Sequence, residues 1–185
     1  MLNKFHDKAQ KVIALSESIA FDLGQSNVGT EHLLLSFLKM KDSKLKQLLE
    51  KEGITYENIK EDVIRLFGKK SNKPFYMEYS VEFKKILENA LLLSKKKGED
   101  KVTMDMLSVS MLEETNCIAY DLLIKKSTNI NKIKEEVKTQ IKKSSELDSI
   151  FDLTNLNQKA LKSPTNPNCL HCPLNNCCKF NKNDI

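Results

Sequence analysis

Cysteine chemistry is concentrated near the end of the chain. Four of the five cysteines fall within ten residues in the order C-x2-C-x4-C-C, with a histidine between the first two. These four are Cys169, Cys172, Cys177 and Cys178. A CxxC pair is a common half of a zinc site, because two thiolates on one tight turn can bind a single ion. The second, distant CxxC of a full zinc ribbon is missing from this sequence.

The cysteine spacing leaves three interpretations open. A small knuckle of three or four thiolates would hold zinc, or the cluster would hold an iron–sulfur group. A redox-sensitive thiol cluster is the second interpretation. A tail with no chemical role is the third, because adjacent cysteines such as Cys177 and Cys178 rarely ligate one ion together.

A second group of polar side chains precedes the apolar run LLLSFL. Thr30 is predicted to be a helix N-cap, and Glu31 falls in the first turn, where a carboxylate favours the helix dipole. His32 is predicted to be a hydrogen-bonded structural residue. No Ser-His-Asp or Cys-His arrangement has a supporting motif, and the sequence holds no GxxxxGK[ST] phosphate loop. We therefore expect no catalysis from this chain.

An internal repeat shows which elements position these groups. The stretch that begins at Gly24 returns at Gly98, and the same offset of 74 residues holds over about sixty positions. The pairs at this offset are Val28 and Val102, Glu31 and Asp105, Leu33 and Leu107, Leu38 and Leu112, Leu48 and Leu122, Ile59 and Ile133, and Val63 and Val137.

Each copy is predicted to fold into four helices. Apolar residues recur at the 3.6-residue period, and no alternating strand pattern is present, so the fold class is all-α. The predicted helices cover about 9–23, 30–38, 43–51 and 56–67 in copy one, and about 81–97, 104–113, 117–126 and 131–143 in copy two. Residues 25–29 are predicted to form a loop. Neither unit is large enough to be stable alone, so we expect a pseudo-twofold pair that shares one core.

The predicted organisation is one eight-helix domain followed by a different kind of sequence. After Lys143 the composition becomes polar and loses a sustained apolar face. We expect the double-repeat domain over 1–143, with copy one at about 1–68 and copy two at about 75–143, a linker over 144–168, and a largely irregular Cys-rich tail over 169–185.

The charge balance does not favour nucleic acid. Net charge is +5, but the basic residues are almost all lysine, Arg65 is the single arginine, and lysines alternate with acids on helical faces. No apolar run is long enough to span a membrane, and the N-terminus lacks the apolar stretch of a secretory signal. We expect a cytoplasmic protein without nucleic-acid or membrane partners.

The two copies resemble a known family. FHDKAQKVIALSESIAFDLGQSNVGTEHLLLSFL in copy one and YSVEFKKILENALLLSKKKGEDKVTMDMLSVSML in copy two are similar to the Clp N-terminal repeat domain of ClpA- and ClpC-type ATP-dependent unfoldases. The resemblance implies a non-catalytic platform, without a cofactor of its own, that docks adaptors and substrate proteins for a Clp unfoldase. An alternative is a free-standing regulator of the Clp system with a metal- or redox-sensing tail.

The resemblance also implies ligand residues. Some ClpC-type relatives bind phosphorylated arginine in each repeat, where an acidic residue meets the guanidinium and a helix N-terminus faces the phosphate. Carried over by position, the peptide, phosphoarginine or adaptor site would be Thr30, Glu31 and His32 in copy one and Asp105 in copy two. Copy two has methionines where copy one has Thr30 and His32, so its site is expected to be weakened.

Overall fold

The structure is a computed structural model that describes residues 2–126 and 129–139. The predicted linker and the predicted metal ligands Cys169, Cys172, Cys177 and Cys178 lie outside the described residues. The metal and redox interpretations therefore stay predictions.

The described chain contains eight α-helices, four in each copy. After a short 3-10 turn at Leu2–Lys4, they are α1 (Asp7–Asp22), α2 (Thr30–Lys39), α3 (Lys44–Lys51), α4 (Tyr56–Phe67), α5 (Val81–Lys96), α6 (Met104–Glu113), α7 (Ile118–Lys126) and α8 (130–139). The all-α class and the two four-helix units are confirmed. The observed boundaries agree with the predicted ones within a few residues, except that the predicted end of the eighth helix at residue 143 lies outside the described residues.

Local sequence explains where these helices start and stop. Four of them begin with a serine or threonine whose hydroxyl accepts the backbone N–H three residues later, and each such cap stabilises a helix by about 1 kcal/mol. These caps are Ser43, Thr55, Ser80 and Thr103. Gly24 and Gly98, with φ of 71° and 70°, follow α1 and α5 in the left-handed region that a side chain would strain.

Short parallel strands join the two copies. The strands β1 (Asn27–Val28) and β2 (Glu78–Tyr79) pair in parallel, with Val28 opposite Tyr79, and Phe5 forms a bridge with Val102. Adding the offset of 74 converts Phe5 into Tyr79 and Val28 into Val102, so the two pairings are equivalent. This equivalence establishes the pseudo-twofold relation. Residues 25–29 were predicted to form a loop, and this prediction was wrong for β1. The strand forms because copy two of the same chain supplies β2.

One hydrophobic core serves both copies. Buried apolar residues from α1 to α8 form a single cluster, and α2 and α6 pack at its centre. Residues 30–38 of α2 are all buried, as expected for a helix at the centre of the core. Among the helices of the described part, none is both long and apolar enough to cross a membrane.

Candidate ligand site at the start of helix α2

The candidate site lies where β1 turns into α2. We name residues 29–32 corner one, and the equivalent residues 103–106, which begin α6, corner two. The N-cap of α2 is Gly29, in an extended conformation, and Thr30 is already the first helical residue. The prediction that Thr30 caps this helix was therefore wrong.

Thr30 makes a contact between the copies instead. Its Oγ1 accepts the backbone N–H of Ala119, in the first turn of α7, at 3.2 Å. The bond is buried and spans 89 positions of the chain. The Thr30 hydroxyl therefore holds the start of α7 against corner one.

His32 supplies the cap that Thr30 does not. Its Nδ1 accepts the backbone N–H of Gly29 at 3.0 Å, which confirms that His32 is hydrogen-bonded within the fold. The ring is completely buried, and burial lowers its pKa from 6.5 to about 4. His32 is therefore neutral at pH 7 and carries its proton on Nε2. Among the described residues, that Nε2 has no hydrogen-bond partner.

Glu31 has a buried carboxyl group, and one of its oxygens makes no hydrogen bond within the described structure. The residue is 4% exposed, and no group in the described chain bonds its Oε2. Desolvation raises its pKa from 4.5 to about 7, a bond from its own backbone N–H opposes the rise, and the charge of Glu82 adds to it. The sequence led us to expect that the helix dipole would favour the charged form. Burial outweighs the dipole here.

Glu31 and His32 touch without forming an ion pair. Glu31 Oε1 lies 3.3 Å from His32 Nδ1, but that nitrogen presents its lone pair, which Gly29 already uses. His32 becomes charged only near pH 4, where Glu31 is protonated. There is therefore no pH at which both side chains are mostly charged.

Gly29 makes room for the Glu31 carboxyl group. A Cβ on residue 29 would lie 2.6 Å from Cδ of Glu31 and closer still to both of its oxygens. The backbone of Gly29, with φ −97° and ψ 177°, suits any residue, so the requirement for glycine is steric. The carboxyl group is thus folded back over its own N-cap.

Corner two has the same backbone plan and different chemistry. Thr103 caps α6 with its side chain, and Met104 and Met106 are buried. Asp105 forms an ion pair with Lys44, Nζ to Oδ2, at 3.2 Å. The four predicted site residues therefore fall into two places: Thr30, Glu31 and His32 in corner one, and Asp105 in corner two.

Sequence reasoning missed three residues that shape these corners. Gly29 accommodates Glu31, Glu82 adds a second negative charge near it, and Lys44 neutralises Asp105. The repeat offset held the signal for two of them, because Glu82 falls on Lys8 and Lys44 falls on Ile118. Each pair changes charge between the copies.

Two four-helix repeats around one core, with a carboxylate corner at the start of the central helix, define a Clp-type double-repeat domain. The chain belongs to the Clp repeat (R) N-terminal domain family, which matches residues 4–126. This confirms the resemblance seen in the sequence.

Relatives and solved structures agree with this family. The chain is 29% identical over 157 residues to the negative regulator of genetic competence ClpC/MecB of Bacillus subtilis, covering 85% of this chain and 19% of that protein. It is 28% identical over 137 residues to the chaperone protein ClpB of Oceanobacillus iheyensis, covering 74% of this chain and 17% of that protein. The chain thus spans about a fifth of the length of these relatives.

The fold is shared with solved N-domains. The N-terminal domain of the chaperone ClpD from Arabidopsis thaliana superposes with a TM-score of 0.62 at 22% identity, over 76% of this chain and 99% of that one. A ClpV N-domain in complex with a VipB peptide superposes with a TM-score of 0.52 at 15% identity, over 72% and 89%.

Proposed function

We propose that this domain is a non-catalytic protein-binding module that docks adaptors or substrate proteins for a Clp ATP-dependent unfoldase. Membership of the Clp repeat N-terminal domain family supports this role. The ClpV N-domain with a VipB peptide is a member of the same fold that binds a peptide.

Corner one is the proposed ligand site, and its ligand is a side chain with a guanidinium group, such as phosphorylated arginine. The observation that carries this assignment is the Glu31 carboxyl group, which is buried, keeps Oε2 unpaired among the described residues and has Glu82 as a charged neighbour. A guanidinium would supply the hydrogen bonds and the charge that the fold withholds. The first turn of α2 would face the phosphate.

Thr30 and His32 position this site rather than contact the ligand. Thr30 is bonded to Ala119 and His32 to Gly29, so both side chains already have partners within the fold. Their role in binding is to fix the backbone that presents Glu31.

Exposed aromatic side chains between the copies offer area for a larger partner. Phe75 is fully exposed and Tyr76 is 70% exposed. Tyr76 also lines a cleft of ≈ 350 Å³ with Ser26, Asn27 and Glu78. Aromatic side chains are enriched at protein–protein interfaces, so these two would suit a partner-binding surface.

The experiment that tests the site compares a phosphoarginine peptide with its arginine and phosphoserine counterparts by isothermal titration calorimetry. Wild type is expected to bind the phosphoarginine peptide, and Glu31→Gln to lose at least tenfold in affinity. Glu61→Gln, an exposed carboxylate on α4, is the matched control. Equal binding by Glu31→Gln and wild type would overturn the site assignment. If the domain captures an adaptor but does not bind phosphoarginine, the docking role is supported and phosphoarginine is excluded as its ligand.

A further inference from the structure

The first residues of α3 and α7 occupy equivalent places and differ in charge. Lys44 begins α3 and Ile118 begins α7, and the two are 74 positions apart. Helix α3 packs on α6, and α7 packs on α2. The start of each helix therefore lies beside the first turn of the helix that carries the acidic residue of the opposite copy.

Contacts at both corners support this placement. At corner two, Lys44 Nζ lies 3.2 Å from Asp105 Oδ2. At corner one, the N–H of Ala119, next to Ile118, bonds to Thr30. Ile118 can give no cation to Glu31, and no lysine or arginine of the described chain pairs with that carboxyl group.

The charged residues near the two corners also differ between the copies. Glu82 raises the negative charge around Glu31, whereas its equivalent in the other copy is Lys8. Lys8 forms its ion pair with Asp42 at 3.1 Å. Corner one is thus acidic and has no cationic partner in the described structure, while corner two has the ammonium group of Lys44.

We propose that Lys44 occupies corner two in place of a ligand's guanidinium group, and that Ile118 leaves corner one without a cation of its own, so that the domain takes one guanidinium-bearing ligand rather than two. This inference rests on the proposed function, because it assumes that a carboxylate corner takes the guanidinium group of a ligand. The residue at the first position of α3 or α7 is then the determinant of how many corners are available.

Competition by Lys44 is physically reasonable because the ammonium is tethered beside Asp105. A tethered group competes at an effective concentration in the mM range, which a weakly bound ligand does not displace. The Lys44 and Asp105 side chains remain 37% and 20% exposed, so the ion pair is not part of the core. Removing the lysine should therefore open the corner without unfolding the domain.

The test counts binding sites by isothermal titration calorimetry with the phosphoarginine peptide. We expect one site in wild type, two in Lys44→Ile, and a loss of at least tenfold in affinity in Ile118→Lys. Lys51→Ile removes an exposed lysine from the same helix and should keep one site. Circular dichroism melts verify folding, and Lys44→Ile with Asp105→Asn should return to one site.

The outcomes separate this inference from the proposed function. If wild type binds nothing but Lys44→Ile binds one peptide, corner one is not a ligand site and the masking by Lys44 is supported. Two sites in wild type, or no additional site in Lys44→Ile, would overturn the proposal. A second site that survives Asp105→Asn in the Lys44→Ile background would overturn it as well.

Discussion

Ala119 donates its backbone N–H to the hydroxyl of Thr30, and this buried bond of 3.2 Å connects the third helix of copy two to the first turn of α2. The equivalent position of copy two is Met104, which has no oxygen to accept such a bond. The link therefore exists on one side of the pseudo-twofold axis. It makes corner one depend on the other copy.

Thr30→Val tests this dependence. Valine keeps the shape of threonine but leaves the Ala119 N–H unpaired, and an unpaired buried donor costs about 1–3 kcal/mol. We expect a corresponding fall in the free energy of unfolding, measured by urea denaturation. Thr30→Ser retains the hydroxyl and should lose less. An unchanged stability of Thr30→Val would show that the bond contributes nothing.

The pH dependence of stability should reveal two opposing groups. The raised pKa of Glu31 means that the fold holds a proton which the unfolded chain releases, so its contribution falls as pH rises from 4.5 to about 7. The lowered pKa of His32 gives stability that is present above pH 6.5 and is lost as pH falls towards 4. The two slopes nearly cancel in wild type between pH 4.5 and 6.5.

Glu31→Gln should uncover the histidine slope. We expect the variant's free energy of unfolding to rise by roughly 1–3 kcal/mol between pH 4.5 and 6.5, while wild type changes little over the same interval. Above pH 7 the variant should also be more stable than wild type, because it buries no charge. Urea denaturation at several pH values measures both. Parallel curves for the two proteins would show that Glu31 does not titrate in this window.

Most of the scaffold was predictable from the sequence because it depends on local and periodic signals. The glycines at 24 and 98, the serine and threonine caps, and the apolar face of α2 all act within a few residues. The strands were not predictable in this way, since Val28 and Tyr79 pair only across the two copies. The role of Thr30 was predicted wrongly for the same reason, because the backbone N–H that donates to its hydroxyl belongs to Ala119, 89 positions away.

The site chemistry was harder to predict than the fold because burial determines it. The composition around Glu31 indicates a charge at a helix N-terminus, yet its depth in the fold raises the pKa to about 7. The same sequence reasoning could not show that Asp105 has a partner, because Lys44 lies 61 positions away and comes close only in the folded domain.

A side chain at residue 29 should be tolerated better when Glu31 is shortened as well. Gly29→Thr places a Cβ against the Glu31 carboxyl group, and overpacking of this kind costs about 1–3 kcal/mol. Changing Glu31 to Asp as well recreates the Thr103 and Asp105 combination of corner two, so the double variant should recover part of the loss. Thermal melts of the single and double variants measure this. Equal destabilisation in both would exclude the steric explanation.

The Cys-rich segment yields a separate prediction that comes from sequence alone. If Cys169, Cys172, Cys177 and Cys178 hold a metal, protein purified under reducing conditions should contain stoichiometric zinc or iron by elemental analysis. Cys172→Ser should reduce that content, whereas Cys117→Ser should not, because Cys117 is buried in the helical domain and donates to the Glu114 carbonyl. Metal-free protein with freely reactive thiols would exclude the metal site. The cysteines would then be either redox-sensitive thiols or residues without a chemical role.

Ligand binding at corner one should itself depend on pH. A guanidinium pairs with the ionised carboxylate, and Glu31 becomes ionised through about pH 7. The affinity of wild type for the phosphoarginine peptide should therefore rise about tenfold between pH 6 and 8, after correction for the titration of the phosphate itself. Glu31→Gln provides the control, because a glutamine side chain does not ionise and its weaker binding should lack this rise. If the wild-type affinity changes with pH only as the phosphate titrates, the ligand's guanidinium group does not bind the Glu31 carboxylate.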